Sequence, residues 1–312
     1  MNFLNTIDIF GNKFQFNVSG KETFNTRLGG ACSLIIIFTG LILSWYFGQD
    51  LYLKVNPKYL VKTRYKNYTP MLKLNTTTFF FGIRVEDDDG KLVEDPRLFT
   101  FSFNSEMLSG SKEGFSISLN NTYQEAVRCS SYYFDKETLI DKDITGFYCA
   151  NFTDLSFGGD WYEDYIARIN YFIKKCDHNT EKKYNIKCAN STEIKKTVGN
   201  FWISYFAYQT IVDPKNYSYP IRKLYENQYT NLDMQNTTNY FRFFYSVSEV
   251  QTDSGIIFSD INNKEFLTLD YLTTNSLVKE GDNSIAKMQF FMNKKNVLYI
   301  REYYNSHYHK EH

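Results

Sequence analysis

"RLGGACSLIIIFTGLILSWYFGQD", residues Arg27 to Asp50, stands in an otherwise polar chain of 312 residues. Between Leu28 and Gly48 no residue is charged, and a run of about 20 such residues is what crosses the hydrocarbon core of a bilayer. A helix of that length in a soluble core carries a polar face, and this one has none. Trp45, Tyr46 and Phe47 close it at the far end, where an aromatic belt meets the headgroups. The run begins well inside the chain, after a polar segment, and no small-x-small cleavage site follows it. The reading is an uncleaved signal-anchor with a transmembrane helix over residues 28–48.

Orientation follows from features after the span rather than from flanking charge. Residues 1–27 hold Lys13, Lys21 and Arg27 against Asp8 and Glu22, while Lys54, Lys58, Lys62, Arg64 and Lys66 lie on the other flank. Charge alone therefore leans towards the opposite topology. Two observations outweigh it. Asn-x-Ser/Thr acceptors recur after the span at Asn67, Asn75, Asn120, Asn151, Asn190, Asn216 and Asn236; chance in a chain this rich in Asn and Thr supplies roughly half of them. Of the five cysteines, Cys32 lies in the span and Cys129, Cys149, Cys176 and Cys188 follow it. An even set in two locally spaced pairs reads as two disulfides formed in an oxidising compartment. Three pairings are possible; Cys129–Cys149 with Cys176–Cys188 is favoured because each closes a short loop. Residues beyond about 50 are thereby expected outside the cytosol, on the cell surface or in an endomembrane lumen.

Formal charge is balanced, so no electrostatic feature points to nucleic acid. The 26 Tyr, 28 Phe and 3 Trp, set against few glycines, favour strands. A genome biased towards Phe, Tyr, Asn, Lys and Ile codons is the plain reading of this richness, and aromatic stacking on a ligand such as carbohydrate is the sharper alternative. Along the chain, Phe14, Phe16 and Val18 alternate with polar residues in an extended strip within the cytosolic segment 1–27. Residues 49–70 read as a stalk. A β-rich ectodomain is expected over 71–300, its apolar runs separated by turns, with a juxtamembrane or terminal tail at 301–312. "EDDDGKLVEDP" (residues 86–96) reads as a hairpin loop between two of those runs, turning at Gly90. "DWYEDYIARINYFIKKC" (residues 160–176) predicts a helix capped by Asp160 and Glu163, with Tyr165, Ile166, Ile169, Phe172 and Ile173 on one face. The following "CDHNTEKKYNIKC" predicts a polar loop, and "STEIKKTV" a second short helix.

No catalytic signature is present: no Gly-x-Ser-x-Gly elbow, phosphate-cradling glycine loop or His-Glu-x-x-His. Three weak metal candidates are set aside. The cysteines with His178 lack zinc spacing, Asp87–Asp89 lack the alternate-ligand pattern of a calcium loop, and His307, His309 and His312 read as a solvated end. The expectation is a non-enzyme without cofactor or metal.

An ordered set of segments, "TRLGGACSLIIIF", "CDHNTEKKYNIKCANSTEIKK", "SEVQTDSGIIFSD" and "LYIREYY", resembles a family of uncharacterised transmembrane glycoproteins of ciliate protozoa. That resemblance implies a short cytosolic N-terminus, a span, a β-rich ectodomain and a second span after the Arg-x-Tyr stretch. The sequence stops at His312 without a second apolar run, so the native protein is expected to continue. The plan is also similar in outline to cycling cargo receptors of the early secretory pathway and to trimeric two-span channels. The whole reads as a mainly β, sandwich-like, disulfide-stapled domain with one or two short helices on a membrane anchor. Its expected partners are the lipid bilayer and other membrane or extracellular proteins, with a homo-oligomer among the options.

Overall fold

In the computed structural model the described residues are 12–18, 21–24, 27–54, 56–75, 79–109, 117–129, 144–150, 155–190, 192–194, 201–232, 237–255, 258–278 and 283–303. The alternating strip near the start forms β1 (Asn12–Val18), paired antiparallel with β2 (Lys21–Phe24). The apolar run follows as α1 (Arg27–Leu53), 27 residues and so about 40 Å long. It is long and apolar enough to cross a bilayer, and little of its surface is covered by the rest of the chain. Ile35, Phe38, Leu41, Ile42 and Trp45 are all exposed. Within its first turns Ser33 is satisfied by the helix itself, its Oγ donating to Gly29 O at 2.9 Å. α1 continues past Gly48 to Leu53 and stops where Lys54 turns left-handed (φ +52°).

The expected stalk is in part a strand. β3 (Lys58–Tyr65) pairs antiparallel with the last strand of the chain. Beyond it come β4 (Met71–Leu74), β5 (Phe81–Glu86), β6 (Phe99–Ser109), β7 (Ile117–Glu125), β8 (Val127–Arg128), β9 (Tyr148–Cys149), β10 (Leu155–Gly159) and β11 (Tyr165–Lys175). A short helix, α2 (His178–Tyr184), precedes β12 (Phe201–Val212), β13 (Ile221–Leu232), β14 (Thr237–Asp253), β15 (Ile261–Val278) and β16 (Ser284–Glu302). Nine strands form one sheet, through β15-β14-β16-β11-β10-β4 with β3 beside β16 and β6-β7 beside β11. Five form the other, in the order β13-β12-β5-β9-β8.

One aromatic core joins the two sheets. Phe81 and Tyr205 come from the smaller sheet and Tyr171, Phe243 and Phe290 from the larger. Phe81 meets Tyr171, Phe243 and Phe290 edge-on at 5.0, 5.3 and 4.7 Å, while Phe243 and Phe290 stack at 4.8 Å. These offset and edge contacts are the arrangements that the ring quadrupole favours. The buried Tyr171 hydroxyl donates to Phe81 O (3.1 Å) and accepts from Ala150 N (3.3 Å), tying the sheets together by hydrogen bonds as well as packing.

The helix expected over 160–176 is instead a turn followed by β11. Burial runs almost unbroken from Ile166 to Ile173, because β11 is an interior strand of the larger sheet, with β6 along one edge and β16 and β10 along the other. A strand buried on both sides shows no period-2 alternation, and its apolar run imitates a helical face. The presumed cap is used otherwise: Asp160 O accepts from Glu163 N in a turn (3.0 Å), and the Glu163 carboxylate reaches Thr69. Conversely, the expected polar loop contains α2. Asp177 caps it by accepting from Thr180 N (2.8 Å), and Asn185 ends it in a left-handed turn (φ +50°). The second short helix is a single described turn, residues 192–194, with Asn190 and Glu193 exchanging reciprocal bonds at 2.8 and 2.9 Å. The acidic loop turns at Gly90 (φ +74°), as expected, but its return is the Glu86–Leu92 bridge. β5 and β6 lie in different sheets.

β16 runs back antiparallel to β3, so Glu302 stands opposite Lys58, a few residues from the end of α1. This end is closed by Arg301, which is buried. Its guanidinium donates to Thr252 Oγ1 (2.7 and 3.1 Å), Asn216 O (2.7 Å), Pro214 O (3.3 Å) and Tyr217 O (3.4 Å). Lys54 Nζ donates to the Tyr217 hydroxyl at 3.0 Å. The β12–β13 loop is thus gripped by β16 on one side and by the residue that ends α1 on the other.

Candidate functional site

The larger sheet splits along one edge of β16. β11 pairs with β16 as far as Phe290, and β3 takes over from Lys295. Along the same edge of β11, β10 occupies the place that β16 gives up, through Gly158–Ala167 and Gly159–Ile166. Two bulges sit beside the split. Between β14 and β16 the register passes from Tyr245–Met292 to Val247–Asn296, and between β14 and β15 Asp270 is the extra residue between Leu269 and Tyr271. Bulges re-aim side chains, and here Asp270 pairs with Lys295 and accepts from Asn293 Nδ2 (3.2 Å). Gly158 (φ +137°) and Gly159 (φ +75°) let β10 pass close by; a Cβ on either would fall about 2 Å from a backbone oxygen of Pro70 or Tyr165.

The split opens a cleft of about 660 Å³ on the face of the sheet turned away from the core. Because side chains alternate along a strand, Phe241, Phe243 and Tyr245 fill the core while Arg242 and Phe244 point outward. Phe244 stacks on Tyr271 at 4.5 Å and on Phe291 at 5.4 Å, forming an aromatic wall. Opposite, Arg168 lies over Trp161 at 5.0 Å and pairs with Glu106 across β6–β11. Glu106 also accepts from Asn170 Nδ2 (3.0 Å), and Asn170 Oδ1 accepts from Gln289 Nε2 (3.2 Å), a polar row that fixes the cleft floor. At the rim, Lys294 meets Glu163 at 3.2 Å and Asp160 at 3.6 Å. Glu163 holds the Lys294 ammonium above its usual range, and its own carboxylate accepts from Thr69 N (2.8 Å) and Thr69 Oγ1 (3.1 Å). Of the three lining cations, Arg168 and Lys294 have carboxylate partners, and Arg242, half-buried, has none among the described residues.

The cysteines pair as Cys129–Cys149 and Cys176–Cys188, with Cα separations of 5.1 and 5.5 Å. The first joins the end of β8 to β9 against Phe80, Phe147 and Phe206; the second brackets α2. Cys32 is a free thiol on the uncovered surface of α1. Asn67, Asn75 and Asn190 are exposed, Asn216 is half-buried in the loop gripped by Arg301, Asn120 falls within β7, and Asn151 and Asn236 lie outside the described residues. No cluster suited to a metal occurs among the described residues. His178 faces Glu181 at 3.4 Å, the Asp87 carboxylate accepts from Asp89 N and Lys91 N within its own turn, and the terminal histidines lie outside the described residues. None of the cysteines, glycosylation acceptors or metal candidates singled out from sequence lines the cleft; Asp160 and Ile166, expected as helix cap and helix face, do. The one legible signal for it was an arginine inside the aromatic run "YFRFFYS" (residues 240–246).

Comparison with curated proteins yields no sequence match. Among solved structures the chain is similar to a proton-activated chloride channel (10% identity, TM-score 0.23, 86% of this chain and 82% of that one). It is also similar to Erv41p (11% identity, TM-score 0.19, 78% and 98%). These likenesses are too distant to bear on the chemistry of the cleft. One family matches residues 80–294, which include both disulfides and all of the cleft except the rim that precedes β5. The chain belongs to that family, the uncharacterised 80 kDa protein N-terminal domain.

Proposed function

We propose that this is a membrane-anchored glycoprotein whose extracytosolic β-rich domain binds partner proteins as an assembly component of a membrane complex. The observation that carries the reading is α1, an apolar helix left uncovered by its own chain, leading within a few residues into a domain that holds two disulfides. An uncovered helix of that length finds its solvent in lipid, and disulfides persist on the oxidising side. Partner binding draws support from β3, whose residues are exposed throughout, Tyr59, Leu60, Val61 and Tyr65 among them. β3 pairs only with β16 among the described strands, and an open strand edge offers backbone groups to another chain. Chemical cross-linking in native membranes, followed by gentle solubilisation, tests the reading. Cross-links between this domain and a second polypeptide, or a second copy, are expected; a lone monomer without cross-links overturns it.

A second reading, a subunit of a two-span oligomeric channel, draws on the return of β16 to Lys58 beside the end of α1. It requires a further span beyond the described residues. Reconstitution with current recording is its test, and a silent bilayer counts against it.

A further inference from the structure

The cleft at the split of the larger sheet has the features of a site for one kind of partner segment. Its volume falls in the range of sites that take small ligands or a few side chains. One wall is aromatic and uncharged: Phe244, Tyr271 and Phe291. The cations at its far side are neutralised within the protein, by Glu106 for Arg168 and by Asp160 with Glu163 for Lys294. Arg242 is the exception. It is half-buried beside that wall without a carboxylate partner among the described residues. A guanidinium presented beside aromatic rings, partly withdrawn from water, matches a carboxylate in two parallel hydrogen bonds. The backbone adds a second element. Phe291 to Lys294 fall between the β11 and β3 ladders, so this stretch of β16 edge has no ladder partner among the described strands where it borders the cleft. Lys294 O is met there by Lys66 N at 2.9 Å, which leaves the stretch from Phe291 to Asn293 facing the opening.

We propose that the cleft binds an extended peptide segment of a partner protein, its carboxylate held by Arg242 and an adjacent aromatic or apolar side chain laid against Phe244, Tyr271 and Phe291. The proposal rests on the partner-binding reading above and names the chemistry of the partner. A saccharide acid would satisfy Arg242 but would gain nothing from the open β16 edge, so the peptide is the occupant that uses both elements.

The test uses the full chain in lipid nanodiscs and a fluorescein-labelled Phe-Glu-Phe tripeptide amide, with Phe-Gln-Phe as the neutral control, read by fluorescence anisotropy. The acidic peptide is expected to bind at least tenfold more tightly than the control. Arg242→Gln removes that preference, Arg242→Lys keeps part of it, and Tyr271→Ala weakens both peptides alike. Thermal unfolding of each variant shows that the fold is intact, and Tyr271 is exposed enough for its loss to be tolerated. Equal affinity for the two peptides, absence of binding by either at millimolar concentration, or tighter binding of free glucuronate than of the acidic peptide each overturns the proposal. Cross-linking of wild type and Arg242→Gln in native membranes separates the two levels. Partners captured equally by both refute the cleft assignment and leave partner binding standing, whereas none captured by either refutes partner binding itself.

Discussion

Replacing Arg301 by methionine removes the grip on the β12–β13 loop while keeping most of the side-chain bulk. The guanidinium makes two hydrogen bonds of 2.7 Å, to Thr252 Oγ1 and Asn216 O, and four longer ones, including 3.4 Å to the Tyr303 hydroxyl. A bond from a charged donor contributes about 1.5–3 kcal/mol, so the two short ones supply about 3–6 kcal/mol. Methionine recovers part of this, because a buried cation is costly to remove from water. Burial lowers the Arg301 pKa in the same sense. The carbonyls of Pro214, Asn216 and Tyr217 would keep no cation, and the net loss is about 3 kcal/mol. For a domain of about 250 residues that corresponds to a fall in Tm of about 6–12 °C. Thermal unfolding of the solubilised protein, followed by tryptophan fluorescence, measures it. Hydrogen exchange should rise first in residues 213–220, which then lack their anchor to β16. Arg301→Lys, keeping the charge without the planar fork, should cost about half as much. A methionine variant within about 1 kcal/mol of wild type would refute the claim that this cage holds the end of the domain next to α1.

Four further outcomes are expected. The double variant Cys176→Ser, Cys188→Ser opens a loop with a sequence separation of 12 and should lose about 3 kcal/mol in non-reducing unfolding, with early exchange of the α2 amides. Asp177 is held below the usual carboxylate range by the backbone N–H and hydroxyl of Thr180. Its contribution is therefore complete above the unfolded pKa near 4 and lost as pH falls through the lower native value. Asp177→Ala should cost about 1 kcal/mol at pH 7 and flatten the acid limb of the stability curve. Gly158→Ala would set a Cβ 1.9 Å from Pro70 O at φ +137° and should cost about 3 kcal/mol, with accelerated exchange in β4. Gly90→Ala, at φ +74° with open space around it, should cost only about 1 kcal/mol by the same unfolding assay.

The parts of the fold legible in sequence were those carried by local chemistry. The long apolar helix was readable because 28–48 has no charge to place on a polar face, and the two short-loop cysteine pairs because nearby residues close with little entropy loss. Strand-rich character followed from the aromatics. The limits lay where distant residues decide the environment. β11 imitates a helix because both its edges are flanked by strands far away in the chain, β6 and β16, and residues on both its sides are buried. The stalk became a strand because its partner, β16, lies more than two hundred residues later. α2 was overlooked although Asp177 and Asn185 bear ordinary cap chemistry, because seven residues between two cysteines show no apolar face. The cleft was illegible for the same long-range reason. Arg242, Trp161, Tyr271 and Lys294 come from four separate segments, and only the splitting of the sheet and its two bulges bring them to one opening.

The central claim is that the β-rich domain lies outside the cytosol on a membrane anchor. The most direct measurement is the intact mass of the native protein, alkylated without reductant, before and after enzymatic removal of N-glycans. The account predicts a fall in mass on deglycosylation, with Cys129, Cys149, Cys176 and Cys188 protected until reduction. An unglycosylated protein with all four thiols alkylated at once would contradict it and place the domain on the cytosolic side.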